Sequence, residues 1–432
     1  MGRIRVLLLV ALAVVGSDAV RRCSYAPSTS SGQAPTGTLQ AATPADPNAG
    51  EVLIGYFGPA SASHPQAGDM WCAASLAIEQ ANAAGGYRGA PFHLIAGWSE
   101  NPWGTGVSDV ARMAYTHKAW AIVGGIDGPS THLAEQVIAK ARLALVNPAA
   151  TDKSVNQASV AWMFSCIPQD DVQAAALAPA IASRAEGRPF AMVSTVDHDS
   201  HLFVVELLKV LKEQGLAPAY HFELKPGQAL VPDALAKLLS IDPKAVVLIA
   251  DARDSARMLR ELRAAGCDGV VFGGPWMGRR AFVEPAGQAA DGVVFPYLCV
   301  TSDATRKFEQ DFTERFGRQP DYLAAHTYDA VTMTIAAIRK GGLDRTRIRD
   351  ALRELSPWQG ASGEIRWDDA GANSRPVSLG TIVEGRMCPL VGANNRSPSR
   401  GERPAPQSSD EGKRSFAPAR TLRTARFRLP FD

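Results

Sequence analysis

The sequence predicts an α/β protein of two doubly wound lobes, each a parallel sheet with helices on both faces. Three observations carry this. From Glu51 onward, short apolar strands alternate with amphipathic helices in two successive series. With 432 residues, 46% hydrophobic and 20% charged, the chain can bury two cores rather than one. Strands also end in Gly, Pro and small residues, as at Gly124-Gly125 and Pro148-Ala149-Ala150, where parallel sheets carry their ligand loops.

The first series opens with a strand over 52–56 and a helix over 69–84, stopped by Gly85-Gly86, then a strand over 92–96 and a helix over 105–117. Residues 121–151 form a strand-loop-helix-strand-loop unit on which the rest is organised. Ile122 and Val123 close a short strand, and Gly124-Gly125 turn the backbone. Asp127, Ser130 or Thr131 can cap a helix that starts near Pro129 and runs to Arg142. A strand over 143–146 follows, and an extended piece over 161–164 ends the series. The second has strands over 190–194, 220–224, 245–249, 270–273 and 292–295, and helices over 200–214, 233–239 and 254–265. Two long helices over 304–316 and 322–340 then return the chain to the first lobe.

Facing strand ends make a cleft, reached by loops over 58–68, 100–104, 125–130, 149–151, 196–200, 250–254 and 274–278. Two of these, 125–130 and 149–151, offer backbone amides, a hydroxyl and a helix N-terminus, which suffice for a carboxylate without Lys or Arg. The competing account of the same residues is an ordinary β–α–β unit whose glycines serve packing alone.

The ends read differently. Arg3 and Arg5, an apolar run over 6–16 and small residues to Ala19 predict an export signal over 1–19. A Ser/Pro/Gly-rich linker over 20–50 follows. Cys23 invites a lipid anchor, although Arg21 and Arg22 stand where a lipobox needs small or apolar residues. Residues 389–432 form a basic, Ser- and Pro-rich tail that shows no apolar period and is expected to be disordered. A net charge of +2, concentrated in that tail, argues against a nucleic-acid or acidic-membrane partner.

Catalytic signatures are absent: no GxGxxG after a strand, no GxxxxGK[ST], no GxSxG, no HExxH. The six cysteines form no CxxC and no zinc spacing. No enzyme activity, cofactor or metal is therefore expected. The densest polar cluster, Asp197-His198-Asp199-Ser200-His201, admits a metal or acid–base site, but a solvated strand-to-helix loop with an N-cap is the simpler account.

Several segments stand in a telling order: IGYFGPAS, AIEQANAAGGYRGAPFHLI, IVGGIDGPST, LVNPAAT, MLRELRAAG before VVFGGP, AHTYDAV and GEIRWDDAG. Over about 52–386 they resemble the leucine/isoleucine/valine-type solute-binding proteins of ABC transporters. The resemblance implies the type I periplasmic binding protein fold, two lobes joined by a three-crossing hinge that close on a small ligand. The lobes would comprise 51–168 with 301–374 and 169–300 with 375–388.

The resemblance also implies a site. The ligand's carboxylate is expected at Asp127, Gly128 and Ser130, with Ile126 beside them, and at Ala149, Ala150 and Thr151. Family members usually place an acid for the ligand's ammonium just after the GP of FGGP, where this chain has Trp276. Asp251 falls where a ligand-contacting aromatic often stands. Asp127 or Asp251 could supply the counter-charge, although Asp127 also suits a helix cap; without it, leucine, isoleucine and valine should bind poorly. Trp103 and Asp199 complete the expected set. Trp71, Trp103 and Trp276 all map to the cleft, with packing inside the first lobe the alternative for Trp71 and Trp103.

The expected function is that of an extracytoplasmic protein capturing a small carboxylate- or amide-bearing compound, an amino acid or a relative of one, for an ABC importer. Its partners would be the ligand and the importer's permease, with membrane contact only through the permease or a lipid anchor. A ligand-sensing receptor on the same fold is the alternative.

Overall fold

A computed structural model describes residues 50–158 and 160–390, the side chains of Pro102 and Trp103 excepted. The expected leader, the linker up to residue 49 and the tail from residue 391 lie outside the described residues.

The first sheet is parallel throughout, in the order β2-β1-β3-β4-β5. Its strands are β1 (Val52–Phe57), β2 (Phe92–Gly97), β3 (Ile122–Gly124), β4 (Leu145–Asn147) and β5 (Met163–Ser165). β1 is buried along its whole length, which is why VLIGYF is nearly all apolar rather than alternating. The connecting helices are α1 (Gly68–Ala83), α2 (Pro102–Ala111), α3 (Gly128–Ala141) and the short α4 (Ser154–Gln157). α2 runs on into a π-helical turn, Arg112–Thr116, so the single helix expected over 105–117 is in fact two kinds of helix.

The second series repeats the same winding. β6 (Ala191–Thr195), β7 (Tyr220–Leu224), β8 (Ala245–Ile249), β9 (Val270–Gly273) and β10 (Val294–Tyr297) lie in the order β7-β6-β8-β9-β10, so in both sheets the second strand flanks the first on the outside. Helices α5 (Asp170–Ala185), α6 (His198–Glu213), α7 (Pro232–Leu239), α8 (Ala252–Ala264) and α9 (Arg280–Ala286) accompany it. α10 (Asp303–Phe316), α11 (Tyr322–Gly341) and α12 (Arg345–Glu354) follow, and α11 packs on α1 of the first series. The chain then makes a small hairpin, β11 (Trp358–Gly360) with β12 (Gly363–Ile365), before β13 (Ser378–Val383) and β14 (Arg386–Pro389).

Further features depart from the sequence expectation. β13 joins β10 antiparallel, and β14 pairs with β13 through Glu384 and Gly385, both at positive φ (50° and 73°), so the second sheet is not purely parallel. α5 was not anticipated, because Pro179 interrupts an alanine-rich stretch. Its buried Ala174, Leu177, Ala178, Ile181 and Ala185 nonetheless keep helical spacing. Pro389, assigned to the tail, still belongs to β14.

The chain passes between the two sheets three times, after β5, after β10 and before β13. These passages are tied to one another. Asn373 donates from its amide nitrogen to the Cys166 carbonyl at 2.6 Å, and Arg375 donates to the carbonyls of Ser362 and Leu298 at 2.7 and 3.3 Å. Among the described residues no helix is long and apolar enough to cross a membrane, and Cys72, Cys166, Cys267, Cys299 and Cys388 are free thiols.

Candidate functional site

A cavity of about 380 Å³ opens where the strand ends of the two sheets face each other. Ile126, Asp127, Ala149 and Thr151 line it from the first sheet, and Asp197, His198, Asp199, Asp251, Arg253 and Trp276 from the second. Tyr322, at the start of α11, and Arg279 also line it. Both series of loops contribute because both sheets place their switch point toward the cleft.

The Gly124-Gly125 turn works by close approach. A Cβ on Gly124, whose φ is +137°, would lie 2.3 Å from the Phe57 carbonyl oxygen, and one on Gly125 would lie 2.3 Å from the Thr131 hydroxyl. α3 can therefore start directly beneath the strand. Asp127 forms its N-cap: the carboxylate accepts the Ser130 N–H at 2.9 Å, and the Ser130 hydroxyl accepts the Ile126 and Asp127 N–H groups at 3.0 and 3.3 Å. Ser130 is fully buried in this arrangement and does not line the cavity.

The other amides of the expected anion site also have protein acceptors. The Gly128 N–H donates to Asp199 at 3.1 Å, and the Ala149 and Ala150 N–H groups donate to the Asn147 side chain at 3.0 and 2.8 Å. Ala150 is buried away from the cavity. The structure thus brings Ile126, Asp127, Ala149, Thr151, Asp199, Asp251 and Trp276 together around one space, with the Gly128 N–H turned to Asp199 in that wall, whereas the buried Ser130 and Ala150 do not line it. Trp103 starts α2, and its side chain lies outside the described residues. Trp71 packs on Tyr56 with ring centroids 5.2 Å apart and is not part of the wall.

Four carboxylates face the cavity, three of them as helix caps. Asp197 caps α6 through the Ser200 N–H (3.0 Å) and also accepts the Thr195 hydroxyl (2.5 Å); Asp251 caps α8 through the Asp254 N–H (2.8 Å). The backbone of Arg253 also hydrogen-bonds the Asp251 carboxylate. Burial pushes its carboxyl upward from the usual range. Burial, followed by the neighbouring Asp127 charge, pushes Asp199 up to about 7. Trp276 sits edge-on to Phe203 at 5.8 Å, half-buried, with the rest of its ring over Gly274.

Arg253, Arg279 and Tyr322 are not marked in the sequence, whereas Asp197 and His198 stand out there only as members of the Asp197–His201 polar cluster. Asp197, His198 and Arg253 fall inside loops that were expected at the cleft, so position was available as a signal although their roles were not. Arg279 donates to Asp321 at 2.8 Å and to the Gln66 carbonyl at 2.6 Å, joining the two series across the cleft. A second cavity of about 400 Å³ adjoins the first beside Arg253, Arg279, Arg280 and Arg318. Arg280 and Arg318 both reach Asp69, at 3.2 and 2.7 Å, and Arg279 reaches Asp321, so these three charges are already answered within the protein.

Comparison with known proteins accords with this architecture. A family model described as periplasmic binding protein matches residues 51–386. The leucine-, isoleucine-, valine-, threonine-, and alanine-binding protein of Pseudomonas aeruginosa is 24% identical over 332 residues, covering 74% of this chain and 86% of that protein. The branched-chain amino acid transporter substrate-binding protein of Streptococcus pneumoniae, solved with isoleucine, superposes with a TM-score of 0.71 at 20% identity, covering 78% of this chain and 97% of its own. A solute-binding protein of Rhodopseudomonas palustris, solved with benzoate, superposes at 0.69 with 15% identity, covering 79% and 96%. At these identities the structural likenesses establish the fold.

Proposed function

Because this chain belongs to the periplasmic binding protein family, whose model spans residues 51–386, we propose that its cleft captures an amino acid or a closely related compound outside the cytoplasm and delivers it to an ABC importer. The observation that carries the ligand class is the pairing of Asp251 with Trp276 in one wall of the cavity. They follow β8 and β9, which are adjacent parallel strands, so their loops are neighbours. An acid and an aromatic have exchanged strands relative to the pattern implied by the resemblance, and both functions stay within the same wall. Asp251 meets the ligand's ammonium, and Trp276 covers its apolar part, with a cation–π contribution of about 0.5–2 kcal/mol if the ammonium lies over the ring.

The ligand's carboxylate goes to the Thr151 hydroxyl and to the N-terminus of α3, where it takes the Gly128 N–H over from Asp199. The S. pneumoniae neighbour's isoleucine and the P. aeruginosa relative's name support an amino acid. The benzoate bound by the R. palustris neighbour supports room for planar carboxylates on this fold. Export by the residue 1–19 leader and docking to a permease complete the proposed cycle.

Mass spectrometry of compounds released from purified protein, followed by a thermal-shift panel of amino acids, aromatic acids and short amides, tests this. A zwitterionic amino acid that raises the melting temperature and binds one per chain is the expected result. Stabilisation by amine-free acids alone would overturn the role given to Asp251.

A further inference from the structure

His132 of α3, Asp152 after β4 and His198 at the start of α6 converge beside the cleft, and their ligand atoms all lie within 4.8 Å of one another. The His132 and His198 Nε2 atoms stand 2.8 and 3.1 Å from the same oxygen of Asp152, and the two rings meet edge-on with centroids 5.7 Å apart. From this geometry we propose that His132, Asp152 and His198 bind a divalent transition-metal ion of the Zn²⁺ class, which clamps the two lobes together at the rim of the ligand cleft.

The surroundings are those of a metal site rather than of a chance cluster. His132 Nδ1 lies 2.9 Å from Glu135, which turns Nε2 toward Asp152, and a carboxylate behind a ligating imidazole is the usual outer partner of such a ligand. Asp152 is held in turn: one oxygen accepts the Ser154 N–H at 2.8 Å, the other the Ser154 hydroxyl at 2.8 Å. The Ser154 hydroxyl is also 3.1 Å from His132 Nε2, close enough to serve as a further oxygen donor. Ligand bonds of about 2.0–2.2 Å to one ion require donor atoms roughly 3–3.5 Å apart, so the side chains need shift only slightly to admit it. Two imidazoles and a carboxylate suit Zn²⁺, Co²⁺ or Ni²⁺ and not the oxygen-seeking Ca²⁺ or Mg²⁺. His198 is exposed, which leaves an entry path, while Asp152 is buried.

The ligands come from both sides of the hinge. His132 and Asp152 belong to the first series and His198 to the second, so a complete site exists only when the lobes are together. Lys153, next to Asp152, reaches Glu206 of α6 at 2.5 Å, so this edge of the cleft is already an inter-lobe contact without the ion. If the cleft is the solute site proposed above, metal and solute favour the same closed state, and each raises the affinity of the other by the same factor.

Titration of chelator-treated, tag-free mature protein with Co²⁺ alone tests the site independently of any solute. One Co²⁺ per chain is expected, with the visible absorption of a low-coordinate ion and displacement by Zn²⁺. His132→Ala and exposed His198→Ala should each lower Co²⁺ affinity by about tenfold or more, and Glu135→Gln should lower it less, with circular dichroism unchanged. His198→Gln provides a second variant at the same exposed position that keeps a polar side chain of similar size. Failure of the unmodified protein to bind Co²⁺ stoichiometrically, or undiminished binding by both His198 variants, would overturn the proposal.

Discussion

Asp199, at the start of α6, accepts the backbone N–H of Gly128, at the start of α3, at 3.1 Å across the cleft. The protein's own carboxylate thus occupies the helix N-terminus at which a ligand carboxylate is proposed to bind. Asp199→Ala is therefore predicted to tighten binding of a carboxylate ligand by about tenfold, roughly 1.4 kcal/mol, and to leave the corresponding amide unaffected. Calorimetry on the acid and amide forms reads this difference. Equal or weaker binding of the acid would show that Asp199 contributes to the pocket rather than competing for it.

Asp251→Asn should weaken amino-acid binding by about 2–5 kcal/mol, because an ammonium desolvated in the cleft would lose its charged partner. Trp276→Glu in the same background should restore part of the loss, since it returns an acid to the neighbouring strand end. Isothermal titration of the single and double variants checks both statements, and unaltered affinity in Asp251→Asn would remove that residue from ammonium recognition.

Ser130 and Thr151 should separate stability from affinity. Ser130→Ala breaks the capping box of α3 and should cost about 0.5–2 kcal/mol of stability with little effect on ligand affinity. Thr151→Ala should lower affinity by about 1–3 kcal/mol through one lost hydrogen bond to a charged group, with a stability cost of its own because the Thr151 side chain also hydrogen-bonds buried Asp170. Urea unfolding and calorimetry on each variant provide the two readouts; an affinity loss in Ser130→Ala matching that in Thr151→Ala would contradict the assignment.

His326 is fully buried in α11, its Nδ1 2.7 Å from the Tyr322 carbonyl and its Nε2 without a partner. Burial, then the Arg375 charge, lowers its pKa from 6.5 to about 3. Between those values the unfolded chain binds one more proton than the folded one, so stability is full above the unfolded value and falls as pH drops toward the folded one. The loss amounts to about 1.4 kcal/mol per pH unit in that window. His326→Leu should flatten the dependence of unfolding free energy on pH there by about one proton, as read by denaturant titrations at stepped pH. An unchanged slope would assign the acid sensitivity to other groups.

Much of this was legible in local patterns. Apolar runs such as VLIGYF and AVVLI marked buried parallel strands because a strand covered on both faces has no polar alternation to display. Asp127 was foreseen as a possible cap because an Asp just before a Gly-Pro start satisfies free amides within three residues. The β13–β14 hairpin was less visible because its strands bury few residues, Gly380 and Ile382 in β13.

The pairings across the cleft were not legible. Asp199 and Gly128 are 71 residues apart, Asp152 and His198 46, and Arg279 and Asp321 42. Periodicity and turn chemistry report what a residue does within its own element, and they placed Asp127, Thr151, Asp251 and Trp276 on strand-end loops. Which of those loops meet, and whether an amide is left for a ligand or taken by a carboxylate from the opposite lobe, depends on the relative pose of the two sheets. The contacts of Asn373 and Arg375 that tie the three crossings, and those of Arg279 and Lys153 across the cleft, are long-range interactions whose partners carry no mark in the local sequence.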